Sequence, residues 1–114
     1  MQLSVRPLAC FLLTTGAALA VSLPAHALDA EAAQALAKKS NCMKCHSVSA
    51  KKDGPSFKET AAKLKGKPGA EQELYKHLTS NPKVKIDGQE EEHPSLKTKD
   101  EAEIRNVVQW ILAQ

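Results

Sequence analysis

Cys42-Met43-Lys44-Cys45-His46 decides how this chain is read. Two thiols separated by two residues lie about one helical turn apart, close enough to bond to one flat group. A histidine directly after them can aim its imidazole at a metal in that group. This is C-x-x-C-H, the attachment pattern of a c-type haem, with two thioethers to the porphyrin and a proximal histidine on the iron. Three rival readings fall away. No βαβ pattern surrounds the pair, as a thioredoxin-like redox site needs. A zinc site has no second C-x-x-C and only His77 and His93 as further partners. A disulfide across three positions closes a tiny loop and stabilises little.

Upstream of the motif, the N-terminus has the form of an export signal. Arg6 is its one charge before Asp29, Leu8 to Leu23 is apolar apart from small and hydroxyl residues, and Ala25-His26-Ala27 fits an A-x-A cleavage site. Residues 1–27 are therefore expected to be a signal peptide cut after Ala27, leaving residues 28–114 as one domain. An uncleaved membrane anchor is the alternative that the A-x-A site argues against. Cys10 precedes most of the apolar run, so it is not a lipoprotein cysteine. Cleavage removes Cys10 and His26, leaving Cys42, Cys45, His46, His77 and His93 as the thiols and imidazoles available.

Downstream and around the motif the patterning is helical. Asp29 can cap a helix over Ala30–Lys39. A short helix fits 58–64, ended by Gly66 and Pro68, and another fits 71–79, with Leu74 and Leu78 on one side. Thr98-Lys99-Asp100-Glu101 reads as a capping box before an apolar stripe of Ile104, Val107, Val108, Ile111 and Leu112. Residues 47–57 read as loop, and 83–97 show no sustained period and no strand. The expectation is all-α, four short helices with long loops. Aromatic residues make up only 4% of the 114 residues. So small and aliphatic a core barely offsets chain entropy, and such domains usually need a staple. A covalent haem is that staple.

Beyond the motif, the chain resembles the small class I bacterial c-type cytochromes over essentially all of residues 28–114. Gly54-Pro55-Ser56-Phe57 is similar to the family loop in which the proline carbonyl accepts a hydrogen bond from the proximal histidine, here Pro55 from His46. Val108-Gln109-Trp110-Ile111-Leu112 looks like the family's closing helix, which crosses the N-terminal one; Ala33 and Leu36 against Ile104, Val107 and Ile111 would be that contact. The resemblance implies a class I cytochrome c fold wrapped around one haem c, held by Cys42 and Cys45 and by His46 on the iron. One departure stands out. The family's sixth ligand is a methionine before a proline, some residues ahead of the last helix, whereas here Glu92-His93-Pro94 occupies that place. Met43, the one methionine after the leader, sits inside the attachment motif. By analogy of position His93 is the distal ligand, giving bis-histidine iron; His77, or no protein ligand, are the alternatives.

Two strong axial ligands leave no open position for substrate, so the expected function is periplasmic electron transfer, with no enzyme activity of its own. A second imidazole in place of a thioether lowers the reduction potential, and Glu90, Glu91 and Glu92 beside His93 push the same way. The alternative is a ligand-binding haem sensor in which a diatomic molecule or peroxide displaces His93. Nine lysines against Asp53 and Glu59 between positions 38 and 67 suggest a basic docking face for redox partner proteins. A solvated surface is the plainer reading of the same charges. Nucleic acid is excluded by the lack of aromatics among the basic residues, and no membrane span remains after cleavage.

Overall fold

The computed structural model describes residues 27–114, so the expected leader lies outside them except for Ala27. Helix α1, Ala30–Lys39, starts where expected. The Asp29 carboxylate accepts the Ala32 N–H at 2.9 Å, Glu31 lies in the first turn, and Lys38 and Lys39 lie in the last, each matched to the helix dipole. Helix α2, Phe57–Leu64, begins one residue before the expected start. Ser56 and Glu59 form a reciprocal capping box: the Ser56 hydroxyl accepts the Glu59 N–H and the Glu59 carboxylate accepts the Ser56 N–H. Helix α3 runs Ala70–Thr79 from Gly69, whose φ of 77° is cheap for glycine alone.

The last helix, α4, spans Glu101–Leu112. Its cap is Asp100, which accepts the N–H groups of Ala102 and Glu103, and not the expected Thr98 box. Thr98 lies one step further out: its hydroxyl accepts the Asp100 N–H and donates to the Glu103 carboxylate. A carboxylate at the helix entrance satisfies two orphan donors and complements the dipole, which the threonine hydroxyl cannot do.

Helices α1, α2 and α3 all pack on α4. Its Ile104, Val107, Val108, Trp110 and Ile111 are buried in one cluster with Ala33, Ala37, Phe57, Leu64, Leu74, Leu78 and Leu96. Ala33 and Ala37 are each 1% exposed, so α1 meets that cluster through small side chains, while Leu36 packs at its margin. Asn106 ties the start of α1 to α4: its amide donates to the Asp29 carbonyl at 2.7 Å and accepts the Asp29 N–H at 2.9 Å. Phe57 meets Trp110 edge to face, with ring centres 5.1 Å apart.

The loop expected across 83–97 contains an antiparallel hairpin, β1 Lys83–Ile86 and β2 Gln89–Glu92, paired Lys83 to Glu92 and Ile86 to Gln89. Its turn is Asp87-Gly88, both at positive φ (50° and 81°), as a type I′ turn requires. Lysines of β1 face glutamates of β2, and Lys83 lies 3.3 Å from Glu90 across the ladder. Opposite charges on facing positions favour this register. No helix among the described residues is long and apolar enough to cross a membrane.

Candidate functional site

The attachment motif is one tight turn. Asn41, at φ 62°, turns the chain out of α1 into a single 3₁₀ turn over Cys42–Lys44. The Cys42 carbonyl accepts the N–H groups of Cys45 and His46, at 3.2 and 3.0 Å. The backbone positions from which both thiols and the imidazole project are therefore fixed relative to each other. The cysteines are free and half-buried, and burial pushes the Cys42 thiol pKa up, against a weaker pull from its own backbone.

Residues 47–57 fold back over this turn. The Gly54 N–H reaches the Cys45 carbonyl at 2.8 Å, Phe57 reaches Ser47, and the Lys52 ammonium reaches the Met43 carbonyl at 2.7 Å. This brings the Pro55 carbonyl to 2.7 Å from His46 Nδ1. A carbonyl can only accept, so Nδ1 carries the hydrogen and Nε2 is left with a free lone pair. Phe57 stacks on the His46 ring at 5.5 Å with planes 21° apart. Gly54 is a close-approach glycine: a Cβ there would stand 2.4 Å from His46 Cε1 and 2.8 Å from Nδ1. The sequence reading gave Gly54 a place in the loop but no role for its missing side chain.

His93 follows β2 directly. Its N–H donates to the Pro82 carbonyl at 2.8 Å, and the Leu96 N–H donates to the Leu78 carbonyl at 3.0 Å, so the segment after the hairpin is docked on the end of α3. This brings the His93 ring centre to 6.0 Å from that of His46, with planes at 52°. Two imidazoles bonded to one metal from opposite sides, at about 2 Å each, have ring centres about 6 Å apart. His93 Nδ1 is buried with no hydrogen-bond partner, a costly state for a polar nitrogen unless a bound group relieves it. Burial, then the charges of His77 and His46, hold its pKa below the ordinary value, against a weaker opposing effect of the Pro94 backbone. A neutral imidazole is the form that binds metal.

His77, on α3, is brought to the same place. Its ring centre lies 4.4 Å from that of His93, and its pKa is lowered by burial and by His46, with Glu73 opposing. A groove of about 660 Å³ opens beside His77; His46, His93 and the two cysteines do not line it. Pro55, Leu64, Leu74 and Pro82 line it alongside three lysines, Lys51, Lys63 and Lys76, and three acids, Asp53, Glu59 and Glu73. Two thiols on one turn, an oriented imidazole and a second imidazole 6.0 Å from it form a donor set that suits one haem.

The comparisons with known proteins agree with that chemistry. The Cytochrome c family profile matches residues 30–114. The chain is 34% identical to cytochrome c-551 of Pseudomonas aeruginosa over 103 residues, covering 90% of this chain and 91% of that one. It is 39% identical to cytochrome c-551 of Stutzerimonas stutzeri over 102 residues, with the same coverage of 90% and 91%. Among solved structures it is similar to the class 1 cytochrome MtoD of Sideroxydans lithotrophicus ES-1, at 48% identity and a TM-score of 0.73, over 76% of this chain and 97% of that one. Cytochrome c552 of Nitrosomonas europaea aligns at 30% identity and a TM-score of 0.55, over 69% and 95%. The C-x-x-C-H turn, the four helices closed on α4 and these relatives lead to one conclusion: the chain belongs to the cytochrome c family, a class I fold that carries one covalently bound haem c and transfers electrons.

Proposed function

We propose that this cytochrome is a bis-histidine electron carrier of the periplasm, with a reduction potential below that of histidine–methionine relatives. Cys42 and Cys45 form the thioethers, His46 is the proximal ligand and His93 the distal one. The observation that supports the reading is the approach of the His46 and His93 rings, their centres 6.0 Å apart. Met43, the one methionine beyond the leader, is packed against the core beside its own attachment turn.

The haem, when bound, supplies a one-electron ferric–ferrous couple. The protein sets where that couple lies. The Pro55 carbonyl, by accepting from His46 Nδ1, makes the imidazole a stronger donor and favours ferric iron. His93, as a second imidazole, favours it further relative to a thioether. Glu90, Glu91 and Glu92 are exposed on β2 just before His93 and add negative charge on that side. The nine lysines between positions 38 and 67, against Asp53 and Glu59, offer a basic face for an acidic redox partner. Residues 1–27 export the chain and are removed after Ala27.

The test is the absorption spectrum of the haem-loaded protein, ferric and ferrous, with and without carbon monoxide. A low-spin spectrum without a methionine–iron charge-transfer band, indifferent to carbon monoxide, is expected. His93→Met should introduce that band and raise the potential. A high-spin ferrous form that takes up carbon monoxide at once would refute His93 as ligand and favour a gas- or peroxide-binding role.

A further inference from the structure

The two axial imidazoles are held in different ways. His46 is oriented by a hydrogen bond, Nδ1 to the Pro55 carbonyl, and by Gly54 and Phe57 against its ring. His93 Nδ1 is buried without a partner, and the Pro94 backbone, the smallest influence on this imidazole, is the one backbone group acting on it. Histidine's second side-chain torsion is broad, so rotamer preference does not fix a ring plane by itself. The His93 N–H is pinned to the Pro82 carbonyl and the Leu96 N–H, three residues on, to the Leu78 carbonyl, but those bonds leave the ring free to turn. The close ring contact in reach is His77, 4.4 Å away at 54°. His77 stands between Leu74 and Leu78, both buried, on a helix packed on α4, so it is a rigid wall.

We propose that His77 is the positioning residue of the distal ligand: by ring packing it sets the plane of the His93 imidazole and slows that imidazole's departure from the iron. It does for His93 what the Pro55 carbonyl does for His46, through an aromatic face and not a hydrogen bond. The inference rests on the bis-histidine reading above.

The experiment uses the full haem-loaded protein and its His77→Ala and His77→Phe variants. Two quantities are read on each. One is the low-temperature electron paramagnetic resonance spectrum of the ferric form, whose anisotropy follows the angle between the axial ring planes. The other is the rate at which cyanide replaces the distal ligand. His77→Ala should shift or broaden the spectrum and speed cyanide binding by between about twofold and tenfold, the size of one aromatic pair contact. His77→Phe, which restores a ring, should return both close to the native values. If His77→Ala does not accumulate, His77→Gln removes the ring and gives the same readouts.

An unchanged spectrum and rate in the ring-deleted variant overturn the proposal. So does a His77→Phe variant that behaves like His77→Ala, because the role would then be polar, as in contact with a carboxylate of the cofactor. A native spectrum that is not low-spin bis-imidazole would instead sink the assignment of His93, so the two failures are told apart by the unmutated protein.

Discussion

Replacing Gly54 by alanine tests how the proximal imidazole is held. The added Cβ would lie 2.4, 2.8 and 3.0 Å from three atoms of the His46 ring. Carbon contacts are comfortable at about 3.5 Å, so ring or loop must retreat by about 1 Å. If the ring retreats, its 2.7 Å bond to the Pro55 carbonyl stretches beyond hydrogen-bonding distance. If the loop retreats, the 2.8 Å bond from Gly54 to the Cys45 carbonyl goes instead. Neither is cheap, because the loop is stitched to the attachment turn on one side and to the α2 cap on the other. Overpacking of this kind costs about 1–3 kcal/mol, which in a domain of this size lowers Tm by roughly 5–20 °C.

The redox readout separates the two retreats. Losing the Pro55 bond makes His46 a weaker donor, destabilises ferric iron and raises the potential; a loop shift that keeps the bond leaves the potential nearly unmoved. Thermal denaturation and a potentiometric titration of haem-loaded Gly54→Ala protein give both numbers. A Tm within about 2 °C of the unmutated protein, a drop of well under 1 kcal/mol, would refute the claim that this close approach is tight.

Acid should weaken the fold through its histidines. His77 is held below the ordinary imidazole pKa, chiefly by burial, and on the bis-histidine reading His93 takes up a proton only by leaving the iron, so the unfolded chain, its histidines titrating near 6.5, binds more protons than the folded one just below that pH. Their contribution is full above about pH 6.5 and is lost as pH falls towards the folded values, so the urea midpoint should drop from pH 7 to 5, with a shallower slope in His77→Gln. Asn106→Ala removes both bonds to the Asp29 backbone; at an exposed site it should cost about 1 kcal/mol, read as a Tm lower by about 5 °C. Lys83→Ala breaks an exposed ion pair and should change stability by no more than about 0.5 kcal/mol in urea unfolding.

What was legible in the sequence was whatever local chemistry fixes alone. Asp29 before an alanine-rich run and the Ile104–Ile111 stripe declare α1 and α4, and the structure keeps both. Ser56-Phe57-Lys58-Glu59 carries a capping-box signature as clear as that of Thr98, yet its serine read as part of the loop, which moved the expected start of α2 by one residue. At Thr98 the reverse happened: a second acceptor two residues on, Asp100, is better placed to cap. The hairpin was hidden because β2 is Gln-Glu-Glu-Glu with no apolar alternation, although Asp87-Gly88 marked the turn. Cys42, Cys45 and His46 were readable from spacing, since one turn places all three. The meeting of His77 with His93 was not, because it depends on how residues 93–96 dock on α3.

That docking explains how so slight a hairpin can hold the histidine proposed as the distal ligand in place. An isolated two-stranded hairpin is marginal in water, and every residue of β2 is exposed. Its order must come from its base, where His93 bonds the Pro82 carbonyl, Ser95 bonds the Asn81 side chain and Leu96 bonds the Leu78 carbonyl. One residue later the Lys97 N–H reaches the Ser40 hydroxyl, which is buried at the end of α1. The stretch from His93 to Lys97 is thus tied to α3 and α1, which are closed on α4, and Leu96 is buried among them. His93 is held by the helical core, with the hairpin as a span between two fixed points. Loss of pairing at the Asp87-Gly88 tip can then be absorbed locally, while loss of the Leu78 or Ser40 tie frees the whole segment that carries His93.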